Sequence, residues 1–162
     1  MATEHSLTRA LRELLASQRT AALGTLDEHG APFVSMVPFA VDPVDHSLVI
    51  HVSGLAAHSR NLQRSPRVSV LVCQAEVAGE PVHALPRVTL DATALVAEPG
   101  SPEALACRAV YLERFPDAEP MTALGDFRFA RLRASGARQV AGFGAARSLD
   151  AAELTQALGP AP

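Results

Sequence analysis

With 162 residues, 48% of them hydrophobic and 19% charged, the sequence has enough apolar material for one folded domain and is far from the composition of a disordered chain. A net charge of −3 and a pI near 6.0 leave no electrostatic footprint for nucleic acid or for an anionic membrane surface, so neither is expected as a partner. All 14 basic residues are arginine, which excludes Schiff-base chemistry through a lysine. Cys73 and Cys107 lie far apart with no CxxC, as free thiols of a reducing compartment do, and a structural zinc site is not expected. The N-terminal segment carries Glu4 and no continuous apolar run, and no stretch approaches a membrane span, so the expected location is cytoplasmic.

In chain order, a first helix follows Ser6 or Thr8, with Leu7, Leu11, Leu14 and Leu15 on one face and Arg9, Arg12 and Glu13 on the other. Thr20 to Leu26 reads as a strand reversed by Asp27-Glu28-His29-Gly30 into a second arm, Ala31 to Val41. Pro38 cannot donate to a ladder and marks an edge, a bulge or a strand end there. A strand from Leu48 to Val52 leads to Ser53 as N-cap of a helix from Gly54 to Arg64, and Arg67 to Gln74 follows as a strand buried on both sides.

After the loop of residues 75–84, Leu85 to Val96 is a long strand with Arg87 near its start. Ser101-Pro102-Glu103 opens a helix that runs to Pro116. Asp126 to Arg133 is a strand with one charged face, Val140 to Phe143 a last short one, and Asp150 with Glu153 a capping-box start for a terminal helix ended by Gly159-Pro160. The expected class is α+β: a six- to seven-stranded antiparallel barrel with peripheral helices, one domain over residues 1–162, with 1–5 and 159–162 as flexible ends.

The stretch most suited to a ligand is Leu48 to Gln74. A helix start offers unpaired N–H groups and a positive dipole end to a phosphate, and Gly54 lets backbone come close. On that helix His58 and Asn61 flank the inward face, while Arg60 and Arg64 lie further round. Other chemistries find no pattern. GFGAAR has Arg147 where a dinucleotide fingerprint needs its last glycine, the six histidines form no metal-binding spacing, and there is no G-x-S-x-G elbow. No catalytic acid or base stands out.

The ordered combination of AALGTLDEHGAPFVSMVPFAV, SLVIHVSGLAAHSRNLQRSPRVSVLV, PRVTLDATA and AGFGAA resembles the pyridoxamine-phosphate-oxidase-like FMN-binding split-barrel superfamily, in its haem-utilisation (HugZ-like) branch. The resemblance covers roughly residues 6 to 147, and its most specific parts are S-x-L-A-x-H-x-x-N and GFG. It implies a split barrel, and a homodimer with two FMN sites at the subunit interface. It places Ser35, Met36, Val37 and Pro38 on the strand lining the flavin, Ser53 and His58 on the phosphate-binding turn and helix with Arg60 and Asn61 nearby, and Arg87 on a further cofactor-contacting strand.

Two departures bear on function. Ala57 precedes His58 where the oxidases carry adjacent basic residues, and the Trp-bearing C-terminal substrate segment of those enzymes has no counterpart, so vitamin B6 oxidation is not expected. Haem-degrading relatives often carry a further C-terminal segment, whereas this sequence reaches Pro162 soon after its GFG. The leading expectation is thus a flavin-dependent oxidoreductase acting on a small molecule, with FMN as cofactor. The alternatives are a haem-binding or haem-degrading protein with His51 or His83 on the iron, a deazaflavin protein, and a non-catalytic flavin-binding or flavin-free dimeric scaffold.

Overall fold

A computed structural model describes residues 4–159. The expected flexible ends lie outside the described residues except for Glu4, His5 and Gly159; the first two stand in the opening helix and Gly159 caps the last one. Helix α1 (Glu4–Ser17) buries Leu7, Leu11, Leu14 and Leu15, the four leucines that the helical period places on one face. Each fully buried leucine, such as Leu11 here or Leu23 on β1, contributes ~2 kcal/mol. Strand β1 (Thr20–Leu26) turns at Gly30, whose φ of 76° needs glycine, into β2 (Pro32–Pro38).

The second arm then divides. Pro38 ends β2, and after Phe39 the two-residue β3 (Ala40–Val41) pairs with β4 (Leu48–Ser53) instead of β1. The full strand order is β2-β1-β5-β6-β7-β4-β3, all antiparallel, with β5 at Arg67–Cys73, β6 at Arg87–Val96 and β7 at Phe127–Val140. Strands β2 and β3 are consecutive in the chain yet lie at opposite ends of that order, so Phe39, fully buried, carries the chain across from one sheet edge to the other. The sheet curls until β2 touches β4 without pairing to it, which is the split in the barrel. Leu23, Ile50, Val70, Val88 and Leu132 fill its interior, closed from outside by α1 and by α5 (Ala151–Leu158).

Strand β7 differs from the expected 126–133. It runs on to Val140 because a bulge absorbs Ser135: Asp91 faces Gly136 and Ala92 faces Ala134, and the Ser135 hydroxyl donates to the Asp91 carbonyl at 3.2 Å. The bulge switches the inward set from Ala130, Leu132 and Ala134 to Ala137 and Gln139, which breaks the alternation that sequence reading follows. The expected last strand at 140–143 is instead a tight turn, with Gly142 and Gly144 at φ 130° and 69°, leading into β8 (Ala146–Asp150).

The expectation that β5 is buried on both faces is also corrected. Its burial alternates, and the doubly buried strand is β4. The reason is helix α3 (Pro102–Arg114), which lies over β4 and the start of β7 and forms a second core from Cys107, Tyr111, Val49, Phe129 and Ala40. That helix starts as its sequence implies, with the Ser101 hydroxyl accepting from the Ala104 N–H. A short helix α4 (Glu119–Thr122) precedes β7.

Candidate functional site

Helix α2 spans Ala57–Arg64 and its N-cap is Ala56, three residues later than the expected Ser53. Ser53 still closes β4, and the chain needs one further turn before the helical ladder begins: Ala56 N–H donates to Ser53 C=O at 3.1 Å. The Ser59 hydroxyl returns to the same Ser53 carbonyl. Asn61 is buried and donates to Thr25 Oγ1 at 2.9 Å, so it fastens the helix to β1 and does not face an open site.

The fold does bring together residues from the two segments that matter most. Ser35 on β2 and His58 on α2 meet, Oγ to Nδ1, at 2.9 Å across the split. Both are half-buried, and burial lowers the His58 pKa, which keeps the imidazole neutral near pH 7. Met36 beside them is 66% exposed and points outward, whereas Val37 faces the core at 2%. Pro38 is half-buried at the end of the strand.

Arg60 is exposed and donates to Leu55 C=O at 3.0 Å, and Arg87 holds the His83 and Leu85 carbonyls from the far end of β6. Arg87 thus stands with Val140, its β7 neighbour, at the GFG end of the sheet.

Asp126, 73 residues further along the chain, closes this turn. The Ser53 hydroxyl donates to Asp126 Oδ2 at 3.2 Å, and the Gly54 N–H donates to the Asp126 carbonyl at 2.6 Å. A carboxylate from the α4–β7 connection therefore sits where the resemblance places a phosphate. With a neutral His58, an Arg60 turned onto backbone and Asp126 at the Ser53 hydroxyl, the turn suits a neutral polar group better than a dianion. Gly54 is obligatory here for space: a Cβ would come within 2.8 Å of the Asp126 carbonyl.

The histidines named as iron ligands are placed unlike one another. His51 on β4 is 8% exposed, stacked on Phe127 at 4.9 Å and packed against Phe129 at 4.4 Å, with Nδ1 buried and unpartnered; burial lowers its pKa to about 4. His83 is exposed on a single 3-10 turn. Cys107 is buried beside Glu103 and burial pushes its thiol up to about 11, so it is an inert core group. Among the described residues no three His, Cys, Asp or Glu side chains gather as a metal site, and no helix is long and apolar enough to cross a membrane.

Comparison with known families identifies the model of the pyridoxamine 5'-phosphate oxidase family over residues 7–141. The chain belongs to that family. Within it the chain falls in the haem-utilisation branch. It is 31% identical over 147 residues to a Vibrio cholerae protein named heme oxygenase HutZ, an alignment covering 89% of this chain and 81% of that one. A chloroplastic non-canonical heme oxygenase of Arabidopsis thaliana is 32% identical over 135 residues, 82% of this chain but 39% of the plant protein.

Among solved structures, a heme-binding protein of Mycobacterium smegmatis superposes with a TM-score of 0.83 at 29% identity, covering 96% of this chain and 62% of that one. The HutZ structure from Vibrio cholerae, described there as a heme storage protein, gives 0.73 at 30% identity, over 79% of this chain and 89% of that one. The split-barrel expectation is thus met, and these similarities favour the haem alternative over the flavin reading.

Proposed function

We propose that this oxidase-family chain binds haem and takes part in haem utilisation, with haem as its substrate for oxidative breakdown. The observation that carries this reading is the similarity to a heme oxygenase over nine-tenths of the chain, joined by a second heme oxygenase and a heme-binding protein. The charge arrangement at the β4–α2 turn supports it from another side, because Asp126 at Ser53 weakens the case for a flavin phosphate.

The working form is a homodimer. Along the outer face of the sheet, Val34 and Met36 of β2 and Leu71 of β5 form an exposed apolar stripe, with Met36, Ala22 and Leu71 in one cross-strand row. Such a stripe is the natural seat of a second copy.

Titration of the purified protein with haemin tests the proposal. A Soret band that shifts and saturates at a fixed stoichiometry, then decays when a reductant and oxygen are supplied, is the expected result. Haemin that never saturates would remove haem from the function.

A second reading, FMN binding, is favoured by the Ser35–His58 hydrogen bond, which joins the two segments that the resemblance assigns to the flavin. If FMN were held there, Ser35, His58 and Ser53 would supply its polar contacts and the isoalloxazine ring the redox chemistry. Equilibrium dialysis with FMN and riboflavin separates the readings. Preference for FMN would restore the phosphate site, and equal or absent uptake of both is expected.

A further inference from the structure

Helix α2 starts without a cap of its own. Ala56, its N-cap, has no side-chain acceptor, no acidic residue stands in the first turn, and the N–H groups of Ala57 and His58 find no partner among the described residues. A helix end that is positive and has donors to spare draws an anion. Here the chain supplies one itself. Asp126 comes in from the α4–β7 connection, its carboxylate accepting from the Ser53 hydroxyl at 3.2 Å and its backbone carbonyl from the Gly54 N–H at 2.6 Å. The Leu55 N–H donates to the Ser53 oxygen at 3.3 Å, which leaves the hydroxyl proton for the carboxylate.

No cation neutralises this group. Asp126 forms no ion pair among the described residues. The arginines that flank the turn in the chain are spent on carbonyls, Arg60 on Leu55 at 3.0 Å and Arg128 on Gly125 at 2.6 Å and Phe127 at 2.8 Å. Arg64, at the other end of α2, pairs with Glu28 at 3.4 Å. Burial keeps His58 neutral. A second anion brought to the turn meets a full negative charge and has to take the Ser53 hydroxyl from it.

We infer that Asp126 sets ligand specificity at this turn: its carboxylate holds the place and the charge of a phosphate, and so turns phosphate-bearing ligands away from the split. The inference rests on the preference for haem over FMN argued above and names the side chain that creates it. Its control is confined to the phosphate end of the site, because Ser35 and His58 bond to one another and not to Asp126. The two bonds that Asp126 accepts also separate charge from structure. The Gly54 bond is made to backbone and survives a change of side chain, whereas the charge at Ser53 belongs to the side chain alone.

The test compares full-length wild type, Asp126→Asn and the double variant Asp126→Asn with Ser53→Ala, each checked for a native melting curve. Asparagine keeps an oxygen for the Ser53 hydroxyl and removes only the charge; Asp126→Ser does the same should the amide destabilise the connection. Each protein is titrated with inorganic phosphate while the amide signals of Gly54, Ala57 and His58 are followed by NMR. In Asp126→Asn these signals move saturably, with an affinity about tenfold or more above wild type, and the double variant loses that gain. Equal phosphate affinity in wild type and Asp126→Asn would overturn the inference, as would a gain that persists without the Ser53 hydroxyl. Haemin titration of the same proteins keeps the two readings apart. Saturable haemin uptake without a gain in phosphate affinity would retain the haem reading and remove the role of Asp126, and a phosphate gain without haemin uptake would do the reverse.

Discussion

His51 couples the stability of the fold to pH. Its imidazole is packed against Phe129 and Phe127 with Nδ1 unpaired, and burial lowers its pKa from 6.5 to about 4. Protonation therefore favours the unfolded chain. The contribution is fully present above pH 6.5, falls as pH drops below that value, and is exhausted near pH 4. For this one group the loss at pH 5 is about 2 kcal/mol. His51→Phe keeps the ring packing and removes the buried nitrogen, so urea unfolding should show a variant close to wild type at pH 7 and more stable by about 2 kcal/mol at pH 5. Identical pH slopes for the two proteins would mean that His51 takes up its proton without unfolding. His58, also lowered by burial, supplies a further part of the slope. At this scale the fold joins Ser35 and His58, two of the residues that the resemblance assigns to a cofactor, by a hydrogen bond, whereas Ser53 bonds to Asp126. Asp126 stayed out of sight: it matters through a partner far away in the chain, the Ser53 hydroxyl, and no spacing rule reports such a meeting.

The β4–α2 turn and the β3–β4 loop each have a single structural dependency. At the first, Gly54→Ala forces a Cβ to within 2.8 Å of the Asp126 carbonyl, so the turn must move from the α4–β7 connection. A loss of about 2 kcal/mol in chemical unfolding is expected, and no loss would show that the connection yields freely. At the second, burial works against the Arg131 charge, but the hydrogen bonds it donates to Asp42 and Glu103 outweigh it and raise its pKa, while Ser47 and Arg131 likewise hold Asp45 low against burial. Arg131→Met leaves the buried Asp42 carboxylate without its cation, and thermal unfolding should report a cost of about 3 kcal/mol at pH 7. In α5 the reciprocal Asp150–Glu153 capping box was readable in advance, and Asp150→Ala should cost about 1 kcal/mol. Elements with such local signatures, α1, β1, α3 and α5, were legible. Those decided by what covers them were not. The burial of β4 on both faces depends on α3, the length of β7 on a bulge, and β8, five mixed residues on an edge, on the strand beside it.

For the molecule as a whole, the proposed dimer makes a direct prediction: Met36→Arg, at an outward position with 66% exposure, should leave the melting curve unchanged and shift sedimentation toward the monomer. A sedimentation coefficient equal to that of wild type would move the contact to another face. The contact between α1 and α5 bears on how the protein is made. Arg12 reaches the Ala157 and Gly159 carbonyls, and the leucines of α1 share one core with Leu154 and Ala157. On the ribosome α1 emerges with its apolar side bare, and the surface that completes its burial follows only 145 residues later, at Ala157. Strand pairing imposes the same wait, since β4 must be held until β7, more than seventy residues later, arrives beside it. Nascent chains therefore carry an uncovered leucine face until α5 is released, which makes that interval the period of greatest exposure to chaperones and to aggregation.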